Sequence, residues 1–222
     1  MKNFEPVLQS CQLFTGIPGS GLKSMLDCLA ARQKHFAKDS FIIMAGGKMD
    51  WIGIVLSGAI HILREDYWGK RKIIARIESG ASFGEAFAYA EVKELPVSII
   101  AAEESEVLFL DCRRILKQCS SVCTFHASLI KNLALLLAEK NIAFIQKLEH
   151  ITQTTTREKL LSYLSGQAQL ERKSSFDIPF SREELADYLS VERSAMSAEL
   201  SKMRDDGLIL YRKNHFELLK QP

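Results

Sequence analysis

Apolar positions change period several times along this 222-residue chain. Between Gly21 and Leu29 they recur at helical spacing, with Leu22, Met25, Leu26 and Leu29 on one face. From residue 41 the period falls to two. FIIMA (41–45), WIGIVL (51–56), AIHILR (59–64), KIIARI (72–77), VSIIAA (97–102) and EVLFLD (106–111) are short Ile- and Val-rich runs, punctuated by Gly46, Gly47, Gly58, Gly69 and Gly80. Many short strands at this spacing predict an antiparallel barrel or sandwich. From about Ser120 to Ile151 one helical run follows, without glycine or proline. Ile130, Leu133, Leu137, Phe144, Leu148 and Ile151 form its stripe, interrupted where Lys140 and Asn141 fall. A helix of about 30 residues spans about 45 Å, longer than a small barrel covers, so part of the stripe is expected to pair with a second copy of the chain.

The run HITQTTTREKLL ends the stripe, and Thr155 with Glu158 fits a capping box that starts a new helix. This marks a domain boundary. Beyond it the pattern predicts a helix over 157–170, a short strand FDIPF (176–180), two helices around a tight turn within Ser181–Ile209, and a strand pair in LILYRKNHFELL (208–219). Helices followed by a two-stranded wing describe a winged helix-turn-helix. The expected class is α+β. A β-rich domain spans 1–118, a long dimerisation helix 119–151 and a winged helix-turn-helix 152–222.

The helix-turn-helix segment is acidic, which sits badly with a polyanionic partner until its residues are placed on a helix. Ser181 and Glu184 form a second capping box, and Leu185, Ala186 and Leu189 face inward. The second helix is expected from about Glu192 to Arg204, with Met196, Leu200 and Met203 buried. Measured from Met196 at about 100° per residue, Arg193 lies near 60°, Arg204 near 80°, Ser197 near 100°, Ser201 near 140°, Ser194 near 160° and Ala198 near 200°. Glu192 and Glu199 fall on the opposite flank. The outer arc therefore holds arginines, serines and an alanine but no acid, which suits entry into a major groove. Ser181, Arg182 and Lys202 join Arg193, Ser194, Ser197, Ala198 and Ser201 as DNA-facing candidates.

Composition adds exclusions. A net charge of +2 and 25% charged residues neither demand nor forbid nucleic acid. The N-terminus lacks a signal-peptide core and no run of about 18 apolar residues offers a bilayer span, so a cytoplasmic protein with no membrane partner is expected. Five cysteines, an odd number within apolar patterns, predict reduced, buried thiols rather than a disulfide framework. No nucleophile and base stand at interpretable spacing, no Gly-rich loop opens a helix, and no metal motif is present, so neither an enzyme nor a resident cofactor or metal is expected.

The segments IVLSGAIHIL (54–63), GASFGEAF (80–87) and LADYLSVERSAMSAELSKMRDDGLI (185–209), in this order along nearly the whole chain, resemble the CRP/FNR family of bacterial transcription regulators. The resemblance implies an N-terminal jelly-roll-like β-roll sensor domain, a long dimerising helix and a C-terminal winged helix-turn-helix. It also implies a homodimer on a near-palindromic site in double-stranded DNA, and RNA polymerase as a further partner. Arg193 matches the family's base-reading arginine. Many members have a second arginine where this chain has Ala198, and glycine where it has Ser190.

Gly84 and Glu85 match the family's residues that hold the phosphate and ribose of a cyclic nucleotide. Cyclic-AMP-binding members place an Arg-Ser pair about ten residues later, whereas this chain reads Glu94-Leu95-Pro96-Val97-Ser98. Loss of such a charge-assisted contact costs about 1.5–3 kcal/mol, so the expected effector is a small molecule other than cyclic AMP. Its pocket is expected among Gly84, Glu85, Leu95, Pro96, Val97 and Ser98, with Lys140 and Asn141 reaching in from the helix. An N-terminal cluster for iron and sulfur is missing, since only Cys11 and Cys28 lie there. Two alternatives stand beside this reading. Cys119 and Cys123, with Cys112 or His126, or else His61, allow a thiol, haem or metal sensor on the same scaffold. A signalling module that does not bind DNA is the other.

Overall fold

The computed structural model describes residues 4–69, 71–117 and 125–219. The chain divides into two compact units, Met1–Ala138 and Glu139–Pro222. Among the described residues no helix is long and apolar enough to cross a membrane.

The first unit opens with α1 (Glu5–Ser10), a 3-10 turn (Gln12–Phe14) and α2 (Gly19–Cys28). The strands follow: β1 (Arg32–Phe36), β2 (Phe41–Ile43), β3 (Trp51–Ser57), β4 (Ala59–Glu65), β5 (Arg71–Glu78), β6 (Ser82–Phe83), β7 (Ser98–Ala101) and β8 (Ser105–Asp111). Between β6 and β7 lies α3 (Glu85–Tyr89), and after β8 come α4 (Cys112–Leu116) and α5 (His126–Ile151). The strands form two antiparallel sheets, ordered β1-β8-β3-β6 and β2-β7-β4-β5.

The apolar run of β3 is explained by cover on both faces. Val55 points between the sheets, with Ile60, Ile99 and Val107. Ile52, Ile54 and Leu56 point the other way, to a core closed by Leu13, Phe14 and Met25 of the N-terminal helices. Gly53 has no room for a side chain, since a Cβ there would lie 2.2 Å from the Phe83 ring. β1 (RQKHF) eluded the pattern because it is a mostly exposed edge strand.

The N-terminal half of α5 belongs to this first core through Leu129, Leu133 and Leu136. Asn132 fixes its position by donating to the carbonyls of Leu13 (3.1 Å) and Thr15 (2.8 Å). This corrects the stripe at Leu133, which is 4% exposed and spent inside its own unit. A line on the neighbouring face runs through exposed Ile130, Ala134, Asn141, Phe144 and Leu148, with half-buried Leu137, which also packs against the first core, and half-buried Ile151, at alternating spacings of four and three.

The cysteine expectation also needs correction. Cys11 and Cys112 are free and buried, but Cys28 is disulfide-bonded. An odd count says nothing about which thiols meet in space. Cys119 and Cys123 lie outside the described residues.

In the second unit α6 (Thr156–Glu171) begins at Thr155, whose capping box with Glu158 is complete. Then come β9 (Ser175–Asp177), α7 (Arg182–Leu189), α8 (Arg193–Asp205), β10 (Ile209–Arg212) and β11 (His215–Leu218). The strands order β10-β11-β9, so β9 adds a third strand to the wing. Leu160, Tyr163, Leu185, Met196, Leu200 and Phe216 centre the core.

Candidate nucleic-acid interface and effector pocket

Helix α7 starts where the sequence predicts. Ser181 N–H donates to Glu184 Oε2 at 2.7 Å, and Ser181 Oγ accepts from Glu184 N–H at 3.3 Å. It ends at Ser190, which adopts the left-handed conformation at φ 53°. Glu192 then caps α8, its carboxylate accepting from Ser194 N–H (2.9 Å), Ala195 N–H (2.7 Å) and the Ser194 hydroxyl. Those bonds, led by the Ser194 hydroxyl, hold the Glu192 carboxyl below the usual range.

The acids of this segment are thus largely occupied. Glu199 faces Arg157 at 3.7 Å and Lys202 at 3.9 Å. Arg157 also pairs with Asp206, and Arg204 pairs with Asp205 at 3.0 Å. Met196, Leu200 and Met203 are buried, while Arg193, Ser197 and Ala198 are exposed. Arg193 makes no ion pair among the described residues, so its guanidinium is available. Ser197 Oγ donates to Arg193 O (2.9 Å), leaving lone pairs to accept from a ligand, while Ser201 Oγ donates to Ser197 O (3.2 Å) and stands 3.3 Å from the Tyr211 hydroxyl.

Besides Ser181, whose hydroxyl caps α7, and Ser201, which stands 3.3 Å from the Tyr211 hydroxyl, three expected DNA-facing residues have other duties. The Ser194 hydroxyl is given to the cap, and Lys202 shares Glu199. Arg182 lies over the Tyr211 and Phe216 rings, 4.8 Å from each centroid, and donates to Lys213 O at 2.9 Å. It fastens the wing to the start of α7. Arg212, Lys213 and Asn214 at the wing tip are exposed and escaped the sequence reading, although the basic pair inside the strand hairpin was visible. Behind the tip, His215 Nδ1 and Asp177 Oδ1 stand 3.0 Å apart, with Ser175 Oγ 3.0 Å from His215 Nε2.

In the β-roll, Gly84 takes φ 88° at the start of α3 and Glu85 is 3% exposed. Leu95 and Val97 do not line an open pocket: both are buried with Met49 and Phe83. Met49 Sδ would lie 2.8 Å from a Cβ at Gly84, so the chain's own side chains occupy this wall. Pro96 is exposed, and Ser98 Oγ accepts from Ala45 N–H at 2.9 Å to tie β7 to the turn after β2. Lys140 and Asn141 are exposed on the part of α5 that belongs to the second unit. The residues of the sensor alternatives are placed as follows. Burial pushes the Cys112 thiol up, and Sγ donates to Asp50 O at 3.0 Å. His126 Nε2 is within 3.0 Å of the carbonyls of Arg114 and Ile115. His61 lies 3.5 Å from Arg76, and burial followed by the Arg76 charge lowers its pKa. Among the described residues no cluster of His, Cys, Asp and Glu is set to hold a metal.

Residues 33–121 match the family model described as a cyclic nucleotide-binding domain, and residues 158–221 the one described as a Crp-like helix-turn-helix domain. No curated protein matches the sequence. Among solved structures, OCPA-complexed CprK is similar at TM-score 0.65 and 14% identity, over 90% of this chain and 89% of that one. The c-di-GMP responsive global regulator CLP of Xanthomonas campestris is similar at 0.58 and 15%, over 92% and 100%. DNR of Pseudomonas aeruginosa follows at 0.51 and 18%, over 100% and 96%. At these identities the likeness is one of fold.

Proposed function

The chain belongs to the CRP/FNR family of transcription regulators, and from that premise we propose a homodimeric regulator that binds a near-palindromic DNA site under control of a small molecule other than cyclic AMP. The observation that carries the DNA reading is the outer arc of α8. Arg193 is unpaired there beside Ser197 and Ala198, while Glu192 and Glu199 are held by a cap and by ion pairs. A guanidinium so placed reads guanine O6 and N7 in a major groove, and the wing tip with Arg212 and Lys213 reaches flanking phosphate.

The effector reading rests on the filled wall at Gly84. A cyclic phosphate needs a cation and space, and the positions after Glu94 supply buried Leu95 and Val97 instead. RNA polymerase is the proposed partner once DNA is bound. A second reading, a thiol switch on the same scaffold, is favoured by the disulfide at Cys28.

Selection of bound sequences from a random DNA pool, with and without cell extract and with and without a reductant, tests all three. The expected result is an inverted repeat with half-sites about 34–36 Å apart, enriched only with extract. Enrichment switched by reductant alone favours the thiol reading, and no enrichment under any condition overturns the regulator. A saturable rise in melting temperature with micromolar cyclic AMP would overturn the effector reading.

A further inference from the structure

The β-roll carries an open cavity away from the Gly84 wall. It occupies about 540 Å³ where β1, β2, β3 and β8 meet, and none of Gly84, Glu85 or Leu95–Ser98 lines it. Its wall is aromatic: Phe36, Phe41, Trp51 and Phe109. Phe109 meets Trp51 edge-on at 4.6 Å and Phe36 at 6.1 Å. Trp51 is the partition, since it also meets Phe83, on the Gly84 side, at 6.0 Å. Phe41 is 40% exposed. Unfilled aromatic surface inside a concavity of this size is the usual mark of a ligand site.

The mouth is cationic. Arg113 is held by Asp111 at 3.2 Å and lies 3.7 Å from Asp50, so the lining acids are answered by it. Arg32 and Lys34 are exposed and make no ion pair among the described residues. Both stand on the face of β1 that also carries Phe36 toward the cavity, and Lys34 Nζ lies 6.0 Å from the Phe109 centroid. Edge-strand cations are commonly a guard against strand pairing. Here they border an aromatic wall, which gives them a recognition geometry as well.

We propose that this cavity binds a planar aromatic carboxylate, with the ring against Trp51 and Phe109 and the carboxylate at Arg32 and Lys34. The wall offers almost no neutral hydrogen-bonding side chain for the edge of a nucleobase, so an aromatic acid suits it better than a nucleotide. This site stands independently of the DNA reading and is separate from the Gly84 pocket.

The full-length protein with Trp68→Phe tests it. Trp51 and Trp68 are the chain's two tryptophans, and Trp68 is 86% exposed on a hairpin tip, so the substitution leaves Trp51 as the reporter. Benzoate should change Trp51 emission saturably, with a dissociation constant on the order of a millimolar, as suits a ligand of about nine heavy atoms. Arg32→Gln with Lys34→Gln should weaken it by about tenfold or more, with unchanged melting in the absence of ligand. Acetate and benzyl alcohol should each bind more weakly, and Glu85→Gln should change nothing. The proposal is overturned by the absence of saturation, by full affinity in the double Gln variant, by an equal response to benzyl alcohol, or by tighter binding of AMP than benzoate. Loss of the signal in Glu85→Gln overturns a separate site by assigning the response to the Gly84 wall.

Discussion

Phe144→Glu should split the proposed dimer without unfolding the protomer. Phe144 is 59% exposed in the single chain, so nothing in its own unit depends on covering that surface. A phenylalanine offers on the order of 200 Å², of which about 120 Å² is then open to water. At about 25 cal/mol per Å², full cover is worth about 3 kcal/mol per protomer, or roughly 6 kcal/mol for a symmetric pair. If a parallel neighbour covers half of it, about 3 kcal/mol is lost, which raises the dimer dissociation constant by about two orders of magnitude. Two glutamates facing across the seam add repulsion. Asn141 strengthens the assignment, because a single asparagine within an apolar seam sets register and strand number at some expense of stability. Sedimentation equilibrium on the parent, Phe144→Glu and Leu148→Glu proteins measures the constants, with far-ultraviolet circular dichroism to confirm folding. A parent protein that is monomeric at tens of micromolar, or variants that associate as tightly as the parent, would refute the seam. Leu133→Ala is the wrong probe, since it should cost about 2–5 kcal/mol of protomer stability instead.

Arg193→Ala should cost about 1–3 kcal/mol against the selected site and relax preference at one base pair per half-site, with little change on random DNA; equal weakening on both, by fluorescence anisotropy, would make it a phosphate contact. Arg182→Ala removes two ring contacts and a charged hydrogen bond to Lys213 O, so the second unit should lose about 2–4 kcal/mol in urea unfolding, whereas a residue that only touches DNA would leave the unfolding midpoint alone. Ser190→Gly should stabilise by about 1 kcal/mol, because the residue sits at φ 53° where a Cβ is strained; a lower melting temperature would contradict the strain argument. His150 is 7% exposed, its Nδ1 2.8 Å from Ser162 Oγ, and burial lowers its pKa against a weaker opposite pull from Glu149. The unfolded chain then takes up the proton first as pH falls below about 6.5, so stability is full above that value and declines below it. Melting of the parent and His150→Gln between about pH 5 and 7.5 checks the sign, and a parent that gains stability on acidification relative to the variant would reverse the assignment.

Legibility followed the range of the interactions concerned. Capping boxes at Thr155 and Ser181 were readable because donor and acceptor stand three residues apart. The acid-free arc of α8 was readable because a period of 3.6 separates Met196, Leu200 and Met203 from Arg193 without reference to any other element. Arg182 was not, because its role depends on Tyr211 and Phe216, which β10 and β11 bring to it only after the wing has paired. The disulfide at Cys28 was hidden for the same reason.

Leu133 shows the remaining difficulty most clearly. Leu129, Leu133 and Leu136 serve the first unit's core, and Ile130, Leu137, Phe144 and Leu148 run along the adjoining face. A single helix therefore carries two apolar stripes, and at Leu133 and Leu137 they nearly merge. Hydrophobic spacing alone joins them into one line, since it records only that a position is apolar. What divides them is Asn132, whose amide donates to the Leu13 and Thr15 carbonyls and so turns Leu133 inward and Ala134 outward. A small alanine at that point would let the second helix of the proposed dimer approach closely, just where the first unit's own packing ends. The buried polar residue on one face thus determines which apolar residues remain exposed on the other.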